Sequence, residues 1–154
     1  MMSAQDIIDL CEANWDAHKF DCSGFVKAVA AALQISTFAP DDDANVIVDK
    51  LHATTSWNAL TPGDGVAAKA QADAGSFVIA GLKGADQISP DPRGHVVVVV
   101  TGPLDSTHHE YPTAYWGSLG GRESPNPKLC LAGRRRDKVA YFVNSMGAIC
   151  STIR

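Results

Sequence analysis

Asp21-Cys22-Ser23-Gly24-Phe25-Val26, running on through Lys27-Ala28-Val29-Ala30-Ala31-Ala32-Leu33, reads as the start and body of one helix. Phe25, Val26, Val29, Ala30 and Leu33 recur at steps of three and four, which gives that helix one apolar face and puts Cys22 in its first turn. Asp21 is the expected N-cap. A thiol there meets unpaired amide groups and the positive end of the helix dipole, both of which favour a thiolate, so Cys22 is a candidate nucleophile.

The helix end alone is too weak for that task. A free thiol with a pKa near ~8.5 is only a few per cent ionised at neutral pH, and a helix terminus contributes about 0.3 to 2 kcal/mol, roughly one pKa unit. A histidine on a rigid element, forming an ion pair with the thiolate, supplies the remainder. Gly94-His95 followed by Val96, Val97, Val98, Val99 and Val100 fits: five consecutive valines predict a strand buried on both faces, with His95 at its start and Gly94 leaving room for substrate.

With 154 residues the chain is expected to form one catalytic domain, 1–154, large enough to bury a core without metals or crosslinks. A formal charge of -4 gives no basis for a nucleic-acid or membrane-surface partner, and Arg134-Arg135-Arg136 is too short a basic run to change that; it reads as a solvated face. No apolar run reaches a membrane span. Met1-Met2-Ser3-Ala4-Gln5-Asp6 has neither a basic start nor a long apolar core, so the expectation is synthesis in the cytosol without a cleaved signal peptide. Cys11, Cys22, Cys130 and Cys150 include no Cys-x-x-Cys pair and do not read as a zinc site. A crosslink between Cys11 and Cys150 would tie the termini together in an oxidising compartment; the alternative is that the cysteines other than Cys22 are small buried apolar residues.

Along the chain, Ser3 is the expected cap of a first helix carrying Ile7, Ile8, Cys11 and Trp15 on one face. Asp41-Asp42-Asp43 read as cap and first-turn residues of a helix through about Leu51 rather than as metal ligands. Thr61 to Gly65 is a turn before a small-residue helix closed by Gly75, and Phe77-Val78-Ile79-Ala80 is the first expected strand. Gly81 to Gly94 reads as loop, then the valine strand, a polar loop with His108 and His109, a strand Thr113-Ala114-Tyr115-Trp116, a Gly/Pro-rich loop, and a last strand Lys138 to Val143. Helices first and an antiparallel sheet afterwards make an α+β protein.

Asp21-Cys22-Ser23-Gly24-Phe25-Val26 and Gly94-His95-Val96 resemble the two signatures of the papain-like cysteine peptidases of the NlpC type. Cys11-x-x-x-Trp15, Asn45-x-x-Val48-Asp49, Phe77 to Gly84, Gly102-Pro103-Leu104, Tyr111-Pro112 and Gly117-Ser118 extend the resemblance to the first family of type VI secretion amidase effectors, and the series spans most of the chain. The resemblance implies a papain-like NlpC-type fold, N-terminal helices packed on a small antiparallel sheet. It also implies cleavage of the bond between D-glutamate and meso-diaminopimelate in peptidoglycan, without metal or cofactor. Carried onto this sequence, it makes Cys22 the nucleophile, His95 its general base and then acid, and the Cys22 amide an oxyanion donor.

Family members place a polar residue on the strand after the histidine strand to orient the imidazole. Here the matching stretch is Thr113-Ala114-Tyr115-Trp116, so the expectation is a backbone carbonyl near Ala114, with His108 or His109 as the alternative. Asp21, Ser23, Gly94 and Trp116 are the candidate substrate contacts. Ala85 to Arg93 looks longer than the family's connection and would line the groove. The implied setting is storage in the producer's cytoplasm, passage through a type VI secretion apparatus component, action in a rival's periplasm, and a cognate periplasmic immunity protein as partner. A phage or housekeeping wall hydrolase of the same fold, or an inactive wall-binding module, are the competing readings, and intact Cys22 and His95 argue against the last.

Overall fold

The computed structural model describes residues 2–87, 92–105, 111–117, 128–129 and 138–144. Three helices come first: α1 (Ala4–His18), α2 (Cys22–Ala32) and α3 (Ala44–Ala53). The short strand β1 (Trp57–Ala59), helix α4 (Gly65–Asp73) and strands β2 (Val78–Leu82), β3 (His95–Val99), β4 (Thr113–Tyr115), β5 (Lys128–Leu129) and β6 (Ala140–Asn144) follow. Among the described residues the strands form one antiparallel sheet in the order β1-β6-β2-β3-β4-β5.

Three of the four helices among the described residues, α1, α3 and α4, start where a short polar side chain meets an orphaned amide. Ser3 and Asp6 form a reciprocal capping box at α1, and Asp43 accepts the Val46 N–H at α3 (2.9 Å). Asp64 caps α4 through the Ala67 N–H (3.0 Å), and Gly75, at φ +89°, turns the chain off behind it. Asp42 accepts the Ala39 N–H (2.8 Å) and pairs with Lys50 (2.6 Å), so the acidic run is spent on helix starting and one ion pair.

The valine run divides between the two faces of the sheet, as alternation requires. Val96, Val98 and Val100 join Ile79, Tyr115 and Phe142 beneath α1, α2 and α3, whereas Val97 and Val99 join Val78, Ala80 and Tyr141 beneath α4. The helices therefore do not all lie on one side. Ala68 and Ala72, one turn apart and small, let α4 lie close on the second face. Expectation and structure also differ at β1, which has too few residues to show a period, and at β2. That strand runs through Gly81 and Leu82, expected to be loop, because Val48 of α3 fills the space where Gly81 has no side chain. Among the described residues no helix is long and apolar enough to cross a membrane.

Candidate active site

The nucleophile side is built where α1 hands over to α2. Asp21 donates its N–H to the His18 carbonyl (3.1 Å), and its own carbonyl accepts the Phe25 N–H (2.9 Å) as the first hydrogen bond of α2. Asp21 thus has the N-cap backbone, but its side chain does not cap: the carboxylate instead accepts the Ser23 hydroxyl (2.9 Å). The segment leaving β4 locks this junction. Tyr115 donates its hydroxyl to Glu12 (2.9 Å), and Trp15 donates its indole N–H to the Trp116 carbonyl (2.9 Å). Gly117 then lies so close to the carbonyls of His18 and Asp21 that a β-carbon there would sit 2.7 Å from the Asp21 oxygen.

Cys22 is half-buried in the first turn of α2, and the backbone amide of Val96 lies near enough to its sulfur to favour the thiolate. The register explains why that amide is available. Val100 donates its N–H towards β4, to the Thr113 carbonyl (3.0 Å), so by alternation Val98 and Val96 point the same way, but β4 ends at Tyr115, opposite Val98. Val96 therefore reaches past the end of β4, and its amide faces the Cys22 thiol there. Because the Val96 nitrogen is bonded to the His95 carbonyl carbon, the sulfur lies against the His95–Val96 peptide. Two residues 73 positions apart in the chain, Cys22 and His95, are brought to one place.

The electrostatics agree with the reading that the helix end alone does not make a thiolate. Burial pushes the Cys22 thiol above its ordinary value; the Val96, Ser23 and Cys22 amides pull it down, and the Asp21 carboxylate pushes it up. The balance is upward. Helix-end amides are present as the sequence suggested, but desolvation of the charged form outweighs them.

On the histidine side, His95 opens β3 opposite Leu82 and is half-buried. Gly94 before it lies against α3, where a β-carbon would come 2.6 Å from the Asn45 side-chain oxygen and 3.0 Å from the Leu82 carbonyl. Asn45 holds this connection by two hydrogen bonds, accepting the Gly84 N–H (3.0 Å) and donating to the Pro92 carbonyl (2.9 Å).

The structure sets Asp21, Cys22 and Ser23 at the start of α2, with the Cys22 sulfur beside the peptide that follows His95, places Gly94 against α3, and does not bring Ala114 to that place. Ala114 pairs with Val99, four residues along β3 from His95, about 13 Å away at the rise of a strand, and its side chain lies in the α4-side core. The expected backbone carbonyl therefore has no reach to the imidazole; the register is set across the 100–113 connection and is not legible from local sequence. His108 and His109 lie outside the described residues, as do Cys130, Arg134 to Arg136 and Cys150. Cys11 is a free, fully buried thiol in the core under α1. Burial pushes its pKa up, so it behaves as an apolar residue. Trp116 is tied to α1 through its backbone carbonyl, while its ring packs on the α4-side cluster. Sequence reasoning missed the Val96 amide and the clamp made by Asn45, although the spacing Asn45-x-x-Val48-Asp49 marks one helical face.

A helix-borne thiol set against the first peptide of a histidine-bearing strand, on an α+β sheet, is the arrangement of a papain-like amidase fold. No family model matches the chain. It is 37 % identical over 162 aligned residues to the peptidoglycan amidase Tse1 of Pseudomonas aeruginosa, covering 97 % of this chain and 96 % of that protein. The chain belongs to the family of that amidase, the type VI secretion amidase effectors.

Proposed function

We propose that this protein is a peptidoglycan amidase that hydrolyses the γ-D-glutamyl to meso-diaminopimelate bond of stem peptides by Cys22–His95 catalysis. His95 takes the Cys22 proton, and the thiolate attacks the γ-carbonyl carbon. The Cys22 amide, unpaired at the helix start, faces the developing oxyanion. Collapse expels the diaminopimelate amine, protonated by His95, and leaves a thioester on Cys22. Water, deprotonated by His95, then releases the acyl product and restores the thiol.

The observation that carries this reading is the contact of the Cys22 sulfur with the His95–Val96 peptide. Similarity to the peptidoglycan amidase Tse1 over nearly the whole of both chains supports peptidoglycan as substrate; delivery through a secretion apparatus into the periplasm of a rival, and a periplasmic immunity protein that covers the groove, are the further parts of the proposal and rest on membership of the type VI amidase effectors. Digestion of purified muropeptides, read by mass spectrometry, is expected to give products cut between D-glutamate and diaminopimelate, and none with Cys22→Ala. Cutting at another bond, or undiminished cutting by Cys22→Ala, would overturn the proposal.

A further inference from the structure

We infer that Asn45 is a positioning residue that sets His95 relative to Cys22. The inference rests on the Cys22–His95 reading and adds a third residue to it. The Asn45 amide uses both of its ends on one connection: its oxygen accepts from Gly84 at the start of the β2–β3 loop, and its nitrogen donates to Pro92, three residues before His95. Between these anchors the loop must return to the same point, so one side chain fixes both mouths of the loop and fills the space beside Gly94. The next residues on the same face of α3 continue the contact, Val48 against Gly81 and Asp49 paired with Lys83 (2.8 Å).

The start of α3 is in turn tied to the nucleophile helix. Lys27, five residues after Cys22 on α2, donates to the carbonyls of Pro40 (2.6 Å) and Asp42 (2.8 Å), just ahead of the Asp43 cap. A continuous series of contacts therefore runs from the helix of Cys22 through Lys27 and the α3 N-terminus to Asn45, and from Asn45 to the residues that precede His95. Asn45 is half-buried, so its loss leaves the apolar core intact, whereas a displacement of about 1 Å between reacting groups costs on the order of 100-fold in rate. A clamp of this kind affects chemistry more than stability.

The test compares wild type, Asn45→Ala, Asn45→Asp and His95→Ala by kcat and KM on muropeptides, by Tm, and by the pH profile of Cys22 alkylation with iodoacetamide. Asn45→Asp keeps the acceptor for Gly84 but turns a second oxygen onto the Pro92 carbonyl. Both Asn45 variants are expected to lose about 10- to 100-fold in kcat with KM changed less than about 3-fold, and to lower Tm by at most about 8 °C. Their alkylation profiles are expected to move to higher pH, towards that of His95→Ala, a shift that loss of stability alone does not produce. Wild-type profiles in both variants would overturn the clamp while leaving the Cys22–His95 reading intact. A wild-type profile in His95→Ala would overturn that reading, and the clamp with it.

Discussion

The two sides of the site are held by different means. On the nucleophile side, backbone meets backbone: Gly117 against the carbonyls of His18 and Asp21, the Trp116 carbonyl under the Trp15 indole, and the Val96 amide on the sulfur. On the histidine side, side chains of α3 hold a loop, with Asn45 bridging Gly84 and Pro92 and Asp49 paired with Lys83. Carbonyl oxygens fixed by a helix end cannot move aside, whereas side-chain amides and carboxylates can turn. The cysteine is therefore placed rigidly, and the histidine is placed by contacts that a single substitution can loosen.

The largest structural effect that would separate the two sides is at Gly117. Gly117→Ala drives a methyl group into two backbone carbonyls, and its expected cost is about 3 kcal/mol or more, read as a lower urea midpoint. Gly94→Ala is expected to cost less stability, about 1–2 kcal/mol, because its nearest neighbour is the Asn45 side chain, which yields. Its loss of activity should nevertheless be large, because the methyl group displaces the clamp. If Gly94→Ala unfolds the protein as readily as Gly117→Ala, the contrast between rigid and adjustable sides fails.

Protonation gives two smaller tests. The Asp21 carboxylate is one of the influences that hold the Cys22 thiol above its ordinary value, after burial. Asp21→Asn removes a negative charge that opposes the thiolate, so the thiol pKa falls and the alkylation profile moves to lower pH; an unchanged or upward-shifted profile would show that the carboxylate does not act on the sulfur. Asp42 is held below the usual carboxylate range by the Lys50 hydrogen bond and the Ala39 amide. A group with a depressed folded pKa adds stability that is complete above its unfolded value, near ~3.9, and is lost as pH falls through the folded one. Asp42→Asn is therefore expected to flatten the acid limb of a stability profile and to leave its slope near neutral pH unchanged. The smallest effect is expected at the exposed Lys83–Asp49 pair, where Lys83→Met should leave Tm almost unchanged.

What the sequence revealed follows the range of each interaction. Ser3, Asp43 and Asp64 act on amides three residues away; the first helix begins where Ser3 predicts, and the other two begin at the acidic run and at the turn from Thr61 to Gly65 that the sequence marks. The valine run revealed a strand buried on both faces because alternation is local. β1 has one buried residue of its three, Trp57, and takes its identity from pairing with β6, more than 80 residues away. Ala114 failed as the orienting residue for a similar reason, since its register against β3 depends on the path of residues 100–113. The helix end beside Cys22 was visible in sequence, whereas the burial that raises the thiol pKa was not. Asn45 was visible as a residue but not as a clamp, because Gly84 and Pro92 lie 39 and 47 positions further on.

The account depends on Cys22 as the atom that receives the acyl group. Rapid mixing of enzyme with purified muropeptide, acid quenching and peptide mapping by mass spectrometry tests this directly. The predicted result is a transient thioester on the peptide containing Cys22, with the mass of the glutamyl side of the substrate less water. An acyl group on any other residue, or products formed at the wild-type rate by Cys22→Ala, would contradict it.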